Sequence, residues 1–589
     1  MKADWDAETT ERGSALWGTG SRGGDSRSSV LWGKGGRGLI AFAVAAVAMA
    51  LPAVGLAGNS DHQAYVPSAL LTRAQANPGQ TFNVIVQGTK GNSSNDVGDR
   101  VKSNKGQLKR SFHSIDGVSA SISGADIVKL AKDPHVDVIT PDGVVKASGF
   151  TGLDYVDSEM WRATTNVTPL WDKAAVTCAL DALTGLQLDP SCVASAAILA
   201  PQAPAIAIVD SGVDPSKVDD FGSRLVASVN LSSLSPGATG DDEGHGTMVA
   251  GVAAGASALY PGVGQNAPLV SVRTSNNLGE SRSSDVIAAA DWILQNKAQY
   301  NIRIANLSLV ATGVSSFRFD PLNKAVEKLW LNGVVVVTAV GNYGTGLPVD
   351  TGHAPADDPF VISVGATDQH GTSAPADDTV APWSAFGHTA DGFEKPELSA
   401  PGRWIIAPVP AGAYIPSMKP ERIVAPGYMW MSGTSFSAPA VAGAAAQLLA
   451  RHPDWSPDQV KGALMVSASA LPAVTLRAGG VGELNAARAA GVVTPPNPNV
   501  NLNAFVVTDP VTGLRSFDAA AWNTTVGANA AWRSSNWSAS DWSASDWSAS
   551  DWSASDWSAS DWSAFSWTAS SWSASDWSAS DWSASDWTP

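Results

Sequence analysis

Three side chains with the chemistry of a nucleophilic catalyst lie in three separate segments of the chain. Asp210 ends the apolar stretch AIAIVD, His245 lies between two glycines in DDEGHGTMVAG, and Ser435 begins a run of small residues in SGTSFSAPAVAG. A hydroxyl, an imidazole that takes its proton and a carboxylate that orients the imidazole are the parts of an activated serine nucleophile. Singly, each residue also has an ordinary explanation, as a turn former, a loop residue or a helix cap. Together they predict one catalytic site.

A fourth candidate, Asn342, follows the most apolar stretch of the chain, in VVVVTAVGNYG. Its side-chain amide could donate a hydrogen bond to an oxyanion, together with the backbone N–H of Ser435 at the start of a helix. The structural alternative is a turn residue that follows a strand.

Residues 152–492 must position these groups, and they alternate short apolar runs with helix-like segments. The strand candidates are PAIAIVD, PLVSVRT, RIANLSLV, GVVVVTAVGN and FVISVGAT, and the helix candidates are GTMVAGVAAGA, SSDVIAAADWILQNKAQY and PLNKAVEKLWLN. Such alternation is typical of an α/β fold with a parallel sheet covered by helices on both faces. Ligands of these sheets bind at the carboxyl ends of the strands, where Asp210 and Asn342 lie.

Six segments, in this order, resemble the signature segments of the subtilisin-like serine peptidases. They are AIVDSGVD, GHGTMVAG, ANLSL, AVGN, KPELSAPG and SGTSFSAPAVAG, and the similarity covers about residues 165–491. The resemblance implies that Ser435 attacks a peptide carbonyl while His245 takes and later returns the proton. It further implies that Asp210 holds the imidazole tautomer and that Asn342 stabilises the oxyanion. Polypeptides are then the substrates.

The same resemblance implies that Ser308, Leu309 and Val310 form the strand that pairs with the substrate backbone. Val310 departs from the glycine that is usual at this position, and its β-branched side chain is expected to reshape the neighbouring pocket. The resemblance implies that catalysis requires no cofactor. Structural calcium is common in this family, and the sequence assigns no ligands for it.

Residues 82–146 form a smaller unit of the α+β type, preceded by a spacer at 58–81. FNVIVQG, GVSASIS and VDVITPDG are strand-like, while residues 96–114 and ADIVKLAKDP are helix candidates. The unit resembles the inhibitor-type propeptide that precedes this catalytic domain. The implied role is to template folding and to block the cleft until autocleavage between about Val145 and Asp154.

Residues 1–57 are interpreted as an N-terminal extension with a secretory signal peptide. The apolar run 39–57 follows Lys34 and Arg37 and closes on small residues, which favours cleavage after Ala57. A retained membrane anchor is the alternative. We therefore predict a secreted or cell-surface protein, and the formal charge of −17 argues against a nucleic-acid partner.

The chain has two cysteines, Cys178 and Cys192, both in a segment that is expected to be exported. An oxidising compartment favours a local disulfide between them, within a surface insertion at 172–203. Two unpaired thiols are the alternative.

The C-terminal part consists of a predicted linker, 493–531, with at most a small strand pair, and a pentapeptide-repeat tail, 532–589. The tail spaces tryptophans five residues apart in repeats of DWSAS. A five-residue step turns by about 140° on a helix and alternates faces on a strand, so neither element gives a one-sided core. A disordered extension is predicted over a stacked coil. Its rings could tether the protein to cell-wall glycan or an insoluble substrate.

Two other functions use the same residues. A catalytically idle surface-binding protein would keep the fold without the chemistry, and a transpeptidase or ligase would pass the same acyl-enzyme to an amine. All four chemical positions carry competent residues, which favours an enzyme.

Overall fold

A computed structural model describes residues 62–147, 160–171, 202–471 and 478–527, all within one compact unit. Three predictions lie outside these residues: the signal peptide at 1–57, the disulfide between Cys178 and Cys192, and the repeat tail at 532–589. None of the helices described is both long and apolar enough to cross a membrane.

The first part of the chain folds into a small α+β domain with its own apolar core. Its elements are α1 (Ser68–Ala76), β1 (Thr81–Gly88), α2 (Ser94–Ser103), β2 (Gln107–Ser111), β3 (Gly117–Ser123), α3 (Gly124–Leu130) and β4 (Val136–Pro141). The strands pair antiparallel in the order β2-β3-β1-β4. Helix α2 begins with a capping box between Ser93 and Asp96, which the sequence pattern encodes locally.

This domain begins earlier than predicted, because helix α1 lies within the segment interpreted as a spacer. Leu70 and Ala74 of α1 are buried in the same core as Ile127 and Leu130 of α3. A nine-residue helix with two buried positions has little amphipathic signal. Packing against α3, rather than its own pattern, makes α1 part of the domain.

The second part contains the large sheet and the helices that cover it. Its elements follow a short connection, β5 (Val144–Ala147), and the helix α4 (Trp161–Thr164). They are β6 (Ala205–Asp210), β7 (Leu225–Asn230), α5 (His245–Ala254), β8 (Leu269–Arg273), β9 (Glu280–Arg282), α6 (Ser283–Tyr300), β10 (Ile302–Leu307), β11 (Leu309–Ala311), α7 (Pro321–Leu331), β12 (Val335–Ala339), β13 (Val349–Asp350), β14 (Ile362–Asp368), β15 (Thr379–Val380), β16 (Gly387–His388), β17 (Glu394–Lys395) and β18 (Leu398–Pro401). The later elements are β19 (Ile405–Pro408), α8 (Tyr414–Met418), β20 (Ile423–Ala425), β21 (Tyr428–Met431), α9 (Thr434–Arg451), α10 (Pro457–Val466), α11 (Ala486–Ala490), α12 (Val500–Asn503), β22 (Val506–Thr508), β23 (Arg515–Phe517) and α13 (Ala519–Gly527).

The large sheet has the strand order β15-β14-β12-β10-β6-β8-β7, with β18 also beside β14. All neighbours run parallel except β14 and β15. Helices α6 and α7 pack together against the sheet, and α5 and α9 form a second packed pair against it. Both faces are therefore covered, which explains why β6 is buried at every position. The predicted α/β architecture is confirmed.

Small residues let helix α9 lie deep in the molecule. Every residue from Thr434 to Ala450 is buried. A Cβ atom on Gly443 would lie 2.4 Å from the carbonyl oxygen of Ala253 in α5, so only glycine permits this close helix contact. The alanine- and glycine-rich sequence is what brings the two helices together.

The segment predicted as a linker, 493–531, is instead folded over its described part. The expected strand pair is present as β22 and β23. The Trp522 ring packs edge-on against Phe317 at 5.4 Å, and Phe517 packs likewise against Phe360 at 5.3 Å. The side chain of Asn332 bonds both backbone groups of Arg515, at 2.9 and 3.0 Å. The linker prediction was wrong because these aromatic residues follow no helix or strand period, and only their tertiary partners bury them.

We expect Trp522→Ala to lower the free energy of unfolding by about 3–5 kcal/mol, since it leaves a cavity in place of a buried indole. Trp522 is 3% exposed. Urea unfolding followed by far-ultraviolet circular dichroism measures this without interference from the tail tryptophans. Val511→Ala, at a hairpin position that is 90% exposed, is the control. Equal urea midpoints for the two variants would mean that the folded segment 493–527 contributes nothing to the stability of the protein.

Candidate active site

Asp210 and His245 meet at the carboxyl edge of the sheet. Asp210 is the last residue of β6, and His245 is the first residue of α5. The Nδ1 atom of His245 lies 2.8 Å from Oδ1 of Asp210, and each side chain is 1% exposed. A Cβ atom on Gly246 would lie 2.1 Å from the carbonyl oxygen of Gly212, so only glycine lets the start of the helix come this close.

Asp241, which the sequence analysis did not single out, holds the loop before His245. Its carboxylate accepts hydrogen bonds from the backbone of Gly244 at 2.8 Å and from both the backbone and the hydroxyl of Thr247 at 2.8 and 2.6 Å. The Ser211 hydroxyl donates to it at 2.8 Å and accepts from the backbone N–H of Gly246 at 2.9 Å. Asp241 therefore ties the start of α5 to the end of β6. The signal that the sequence offered for Asp241 was its position shortly before His245, in the segment DDEGHGTMVAG.

Acidic groups govern the charge state of the histidine. Burial lowers the pKa of the His245 imidazole, but the charge of the Asp210 carboxylate, the hydrogen bond to it and the nearby Glu243 and Asp241 outweigh burial and raise this pKa to about 9. Burial raises the pKa of the Glu243 carboxyl to about 8, against the opposing charge of His245. Glu243 is the second residue that sequence reasoning missed. His245 and Glu243 therefore influence each other's pKa.

Ser435 lies at the second position of α9 and is fully buried. Its hydroxyl donates to the carbonyl oxygen of Ser308 at 3.1 Å, and the Ser308 hydroxyl donates back to the carbonyl oxygen of Ser435 at 2.9 Å. The ring of the next residue, Phe436, packs on His245 with centroids 5.6 Å apart. Among the described residues, Nε2 of His245 is buried and has no hydrogen-bond partner. The structure thus brings Ser435, Ser308 and the histidine to one place.

Asn342 is anchored beside Ser435 by its amide oxygen. This oxygen accepts from the backbone N–H of Thr434 at 2.9 Å and from the Thr434 hydroxyl at 3.0 Å. Thr434 immediately precedes Ser435, and Asn342 follows strand β12 across Val340 and Gly341. The bonds fix the orientation of the amide, with its NH₂ group as the donor end.

Strand β11, which contains the predicted residues Leu309 and Val310, pairs with a segment of the chain itself. A small antiparallel sheet has the order β11-β5-β9. Leu309 lies opposite Ala147, and Val310 lies opposite Lys146. On the other side of β5, Lys146 lies opposite Glu280. The strand that leaves the small domain therefore fills the space between two strands of the large unit.

Side-chain contacts from the small domain hold β5 in this register. Asp142, two residues before β5, accepts from the backbone and the hydroxyl of Ser284 at 3.0 and 2.8 Å, near the start of α6. Asp291 of α6 accepts from the backbone N–H groups of His113, at 2.8 Å, and Ser114. These hydrogen bonds connect the small domain to helix α6 of the large unit.

The part of the chain that the structure describes contains no group of three or more His, Cys, Asp or Glu side chains that could hold a metal ion. Structural calcium therefore stays a prediction without ligands.

Comparison with known proteins identifies two family segments. Residues 202–491 match the subtilase family, and residues 71–148 match the peptidase inhibitor I9 family. Fervidolysin from Fervidobacterium pennivorans, described as a keratinolytic enzyme related to subtilisin, is similar in fold, with a TM-score of 0.51 at 19% identity over 71% of this chain and 62% of that one.

Three curated relatives set the extent of the similarity. Serine protease AprX of Bacillus subtilis (strain 168) is 34% identical over 44% of this chain and 59% of its own length, and alkaline serine exoprotease A of Vibrio alginolyticus is 30% identical over 63% and 58%. The chain thus spans less than two thirds of these two relatives. Subtilisin DY of Bacillus licheniformis is 30% identical over 45% of this chain and 84% of its own length. With two matching family segments in sequence and a relative covered over most of its length, the chain belongs to the subtilase family.

Proposed function

We propose that this protein is a serine endopeptidase made as a zymogen. The observation that carries the proposal is the buried contact between His245 and Asp210, 2.8 Å long, with Phe436, the residue after Ser435, packed on the imidazole ring. A buried imidazole that is held by a carboxylate next to a hydroxyl is the arrangement that activates a serine.

The reaction then proceeds through an acyl-enzyme. The Ser435 hydroxyl turns from the carbonyl oxygen of Ser308 toward Nε2 of His245, which takes its proton as Oγ bonds to the peptide carbonyl carbon. Asp210 keeps the other proton of the ring on Nδ1 and stabilises the imidazolium. His245 passes its proton to the leaving amine as the C–N bond breaks. His245 then takes a proton from water as the water oxygen bonds to the acyl carbon, and it returns that proton to Oγ of Ser435 as the ester C–O bond breaks and the acid leaves.

Two donors stabilise the oxyanion that forms on the carbonyl. One is the backbone N–H of Ser435 at the start of α9, and the other is the NH₂ group of Asn342, whose oxygen is held by Thr434. Donors fixed before the reaction need no reorganisation as charge develops, which is the source of their effect on rate.

The β5 segment acts as the internal inhibitor and as the first substrate. Ala147 lies opposite Leu309, one residue short of Ser308, whose carbonyl oxygen accepts from the Ser435 hydroxyl. The proposed scissile bond follows the next residue of the sequence, Ser148. We propose autocleavage between Ser148 and Gly149, within the interval predicted from the sequence.

Export and attachment remain separate proposals. We propose a secreted enzyme with the signal at 39–57, and a tail at 532–589 that tethers it to cell-wall glycan or insoluble substrate. No observation favours the idle binding protein. The transpeptidase or ligase would differ from the endopeptidase only in the amine that accepts the acyl group.

We expect Ser435→Ala to stay uncut, because no acyl-enzyme can form, while the wild-type chain gives a mature N-terminus at Gly149. N-terminal sequencing and labelling of the purified protein with a fluorophosphonate probe measure both effects. Ser437→Ala, two residues further along the same helix, is the matched control and should be processed and labelled. Cutting of Ser435→Ala at the same bond in a protease-deficient host would remove autocatalysis from the proposal.

We expect Asn342→Ala to lower kcat by about 10²–10³, with little change in KM, because the lost donor acts on the oxyanion of the transition state. This size is the loss found when one such donor is removed from subtilisin, a relative, and it is carried over from there. Steady-state kinetics on a small peptide substrate measure the split. A loss that falls mainly on KM would assign Asn342 to substrate binding instead.

We expect Glu243→Gln to move the acid limb of the pH profile of kcat/KM to lower pH. The reaction needs neutral His245, so activity rises with pH toward the histidine pKa of about 9. The Glu243 carboxylate, ionised above its pKa of about 8, favours the imidazolium, and its removal lowers the histidine pKa. Asp242→Asn is the control, since this exposed carboxylate pairs with Arg273 instead. Superimposable acid limbs for the two variants would contradict the proposed coupling.

A further inference from the structure

The inserted strand β5 presents one charged side chain to a charged residue of the cleft. Nζ of Lys146 lies 3.1 Å from Oε1 of Glu280, and these side chains are 56% and 36% exposed. Strand register places the same two residues directly opposite each other. Their contact therefore follows from backbone pairing, and any chain bound in this register would present a side chain to Glu280 at that position.

Neighbouring residues of β5 differ in their burial and in the residues that face them. Val145 is fully buried, whereas Lys146 on the opposite face of the strand remains half exposed. Across the other edge, Lys146 lies opposite the half-buried and uncharged Val310. Glu280 thus supplies the charge at this position of the cleft.

A tight turn holds Glu280 in place without the inserted strand. The side-chain oxygen of Asn276 accepts from the backbone N–H groups of Leu278 and Glu280 at 2.9 and 3.0 Å. The backbone N–H of Asn276 in turn donates to the carbonyl oxygen of Glu280 at 2.9 Å. The hydrogen bond from Lys146 and its charge lower the pKa of the Glu280 carboxyl, so the carboxylate is ionised at neutral pH.

We propose that Glu280 is a specificity-determining residue that selects a basic side chain at the substrate position occupied by Lys146 in the zymogen. This rests on the proposed peptidase function and extends it to a substrate class, chains with lysine or arginine at that position. The preference for a basic side chain is moderate in size, because an exposed ion pair is partly screened by water and salt.

The test uses the mature enzyme and quenched fluorescent peptides that span residues 142–152, DGVVKASGFTG, with lysine, glutamine or glutamate at position 146. Mass spectrometry of the products verifies the bond that is cut. We expect kcat/KM for the lysine peptide to exceed that for glutamine by about two- to fivefold, with glutamate lower still. Glu280→Gln should remove this difference, and Glu280→Lys should invert it. High salt should reduce it in the wild-type enzyme.

Glu421→Gln is the control for net charge, since Glu421 is 63% exposed and pairs only distantly with Arg422, at 3.9 Å. A second readout uses the full zymogen: Lys146→Glu should slow processing, and the added Glu280→Lys should restore it. Equal cleavage of the three peptides by the wild-type enzyme would overturn the role of Glu280 and leave the peptidase proposal standing. A wild-type protein that neither cleaves the peptides nor labels with the probe would overturn both.

Discussion

The buried carboxylate of Asp210 is hydrogen-bonded to the buried imidazole of His245. The rest of the structure supplies the hydrogen-bond donors that compensate this buried charge and the strands and helices that position the neighbouring groups. Removing a charge from water costs several kcal/mol unless donors replace the lost hydration. The backbone N–H of Ser211 donates to the carboxylate at 2.8 Å, in addition to His245. Three adjacent parallel strands, β6, β10 and β12, end at this edge and bring Asp210, Ser308 and Asn342 into reach of one another. The packed helices α5 and α9 add His245 and Ser435.

In the proposed peptidase, the same backbone ladder serves inhibition and substrate binding. Strands β9 and β11 leave a gap that one extended chain fills with hydrogen bonds on both edges. Main-chain pairing of this kind is indifferent to side chains, so selectivity comes from the few positions where a side chain meets a partner. The small domain places its own strand in the gap through bonds to α6, such as that between Asp142 and Ser284. The small domain is therefore joined to the large unit both by hydrogen bonds to α6 and by the pairing of β5 with β9 and β11.

The sequence predicted much of the site because its signals are local. Glycine on either side of His245 and small residues after Ser435 are requirements of close packing that appear as motifs. Apolar runs separated by helices likewise indicated the covered parallel sheet. Helix α1 and the fold of residues 493–527 were missed for the opposite reason, since Leu70 and Trp522 show no period and are buried only by distant partners. Asp241 and Glu243 were passed over because an acidic loop is usually just solvated.

By itself, then, the sequence determined the α/β class, the order of the candidate catalytic residues and the presence of an inhibitor-like domain. The α/β class is encoded in contiguous segments whose periodicity has a direct steric meaning, whereas the other two follow from the resemblance of short motifs to those of a known family. Tertiary structure alone decided that β5 lies between β9 and β11, that Lys146 faces Glu280, and that buried acids set the pKa of His245. These depend on distances between residues far apart in the chain and on the exclusion of water around them, and both arise only when the chain has folded.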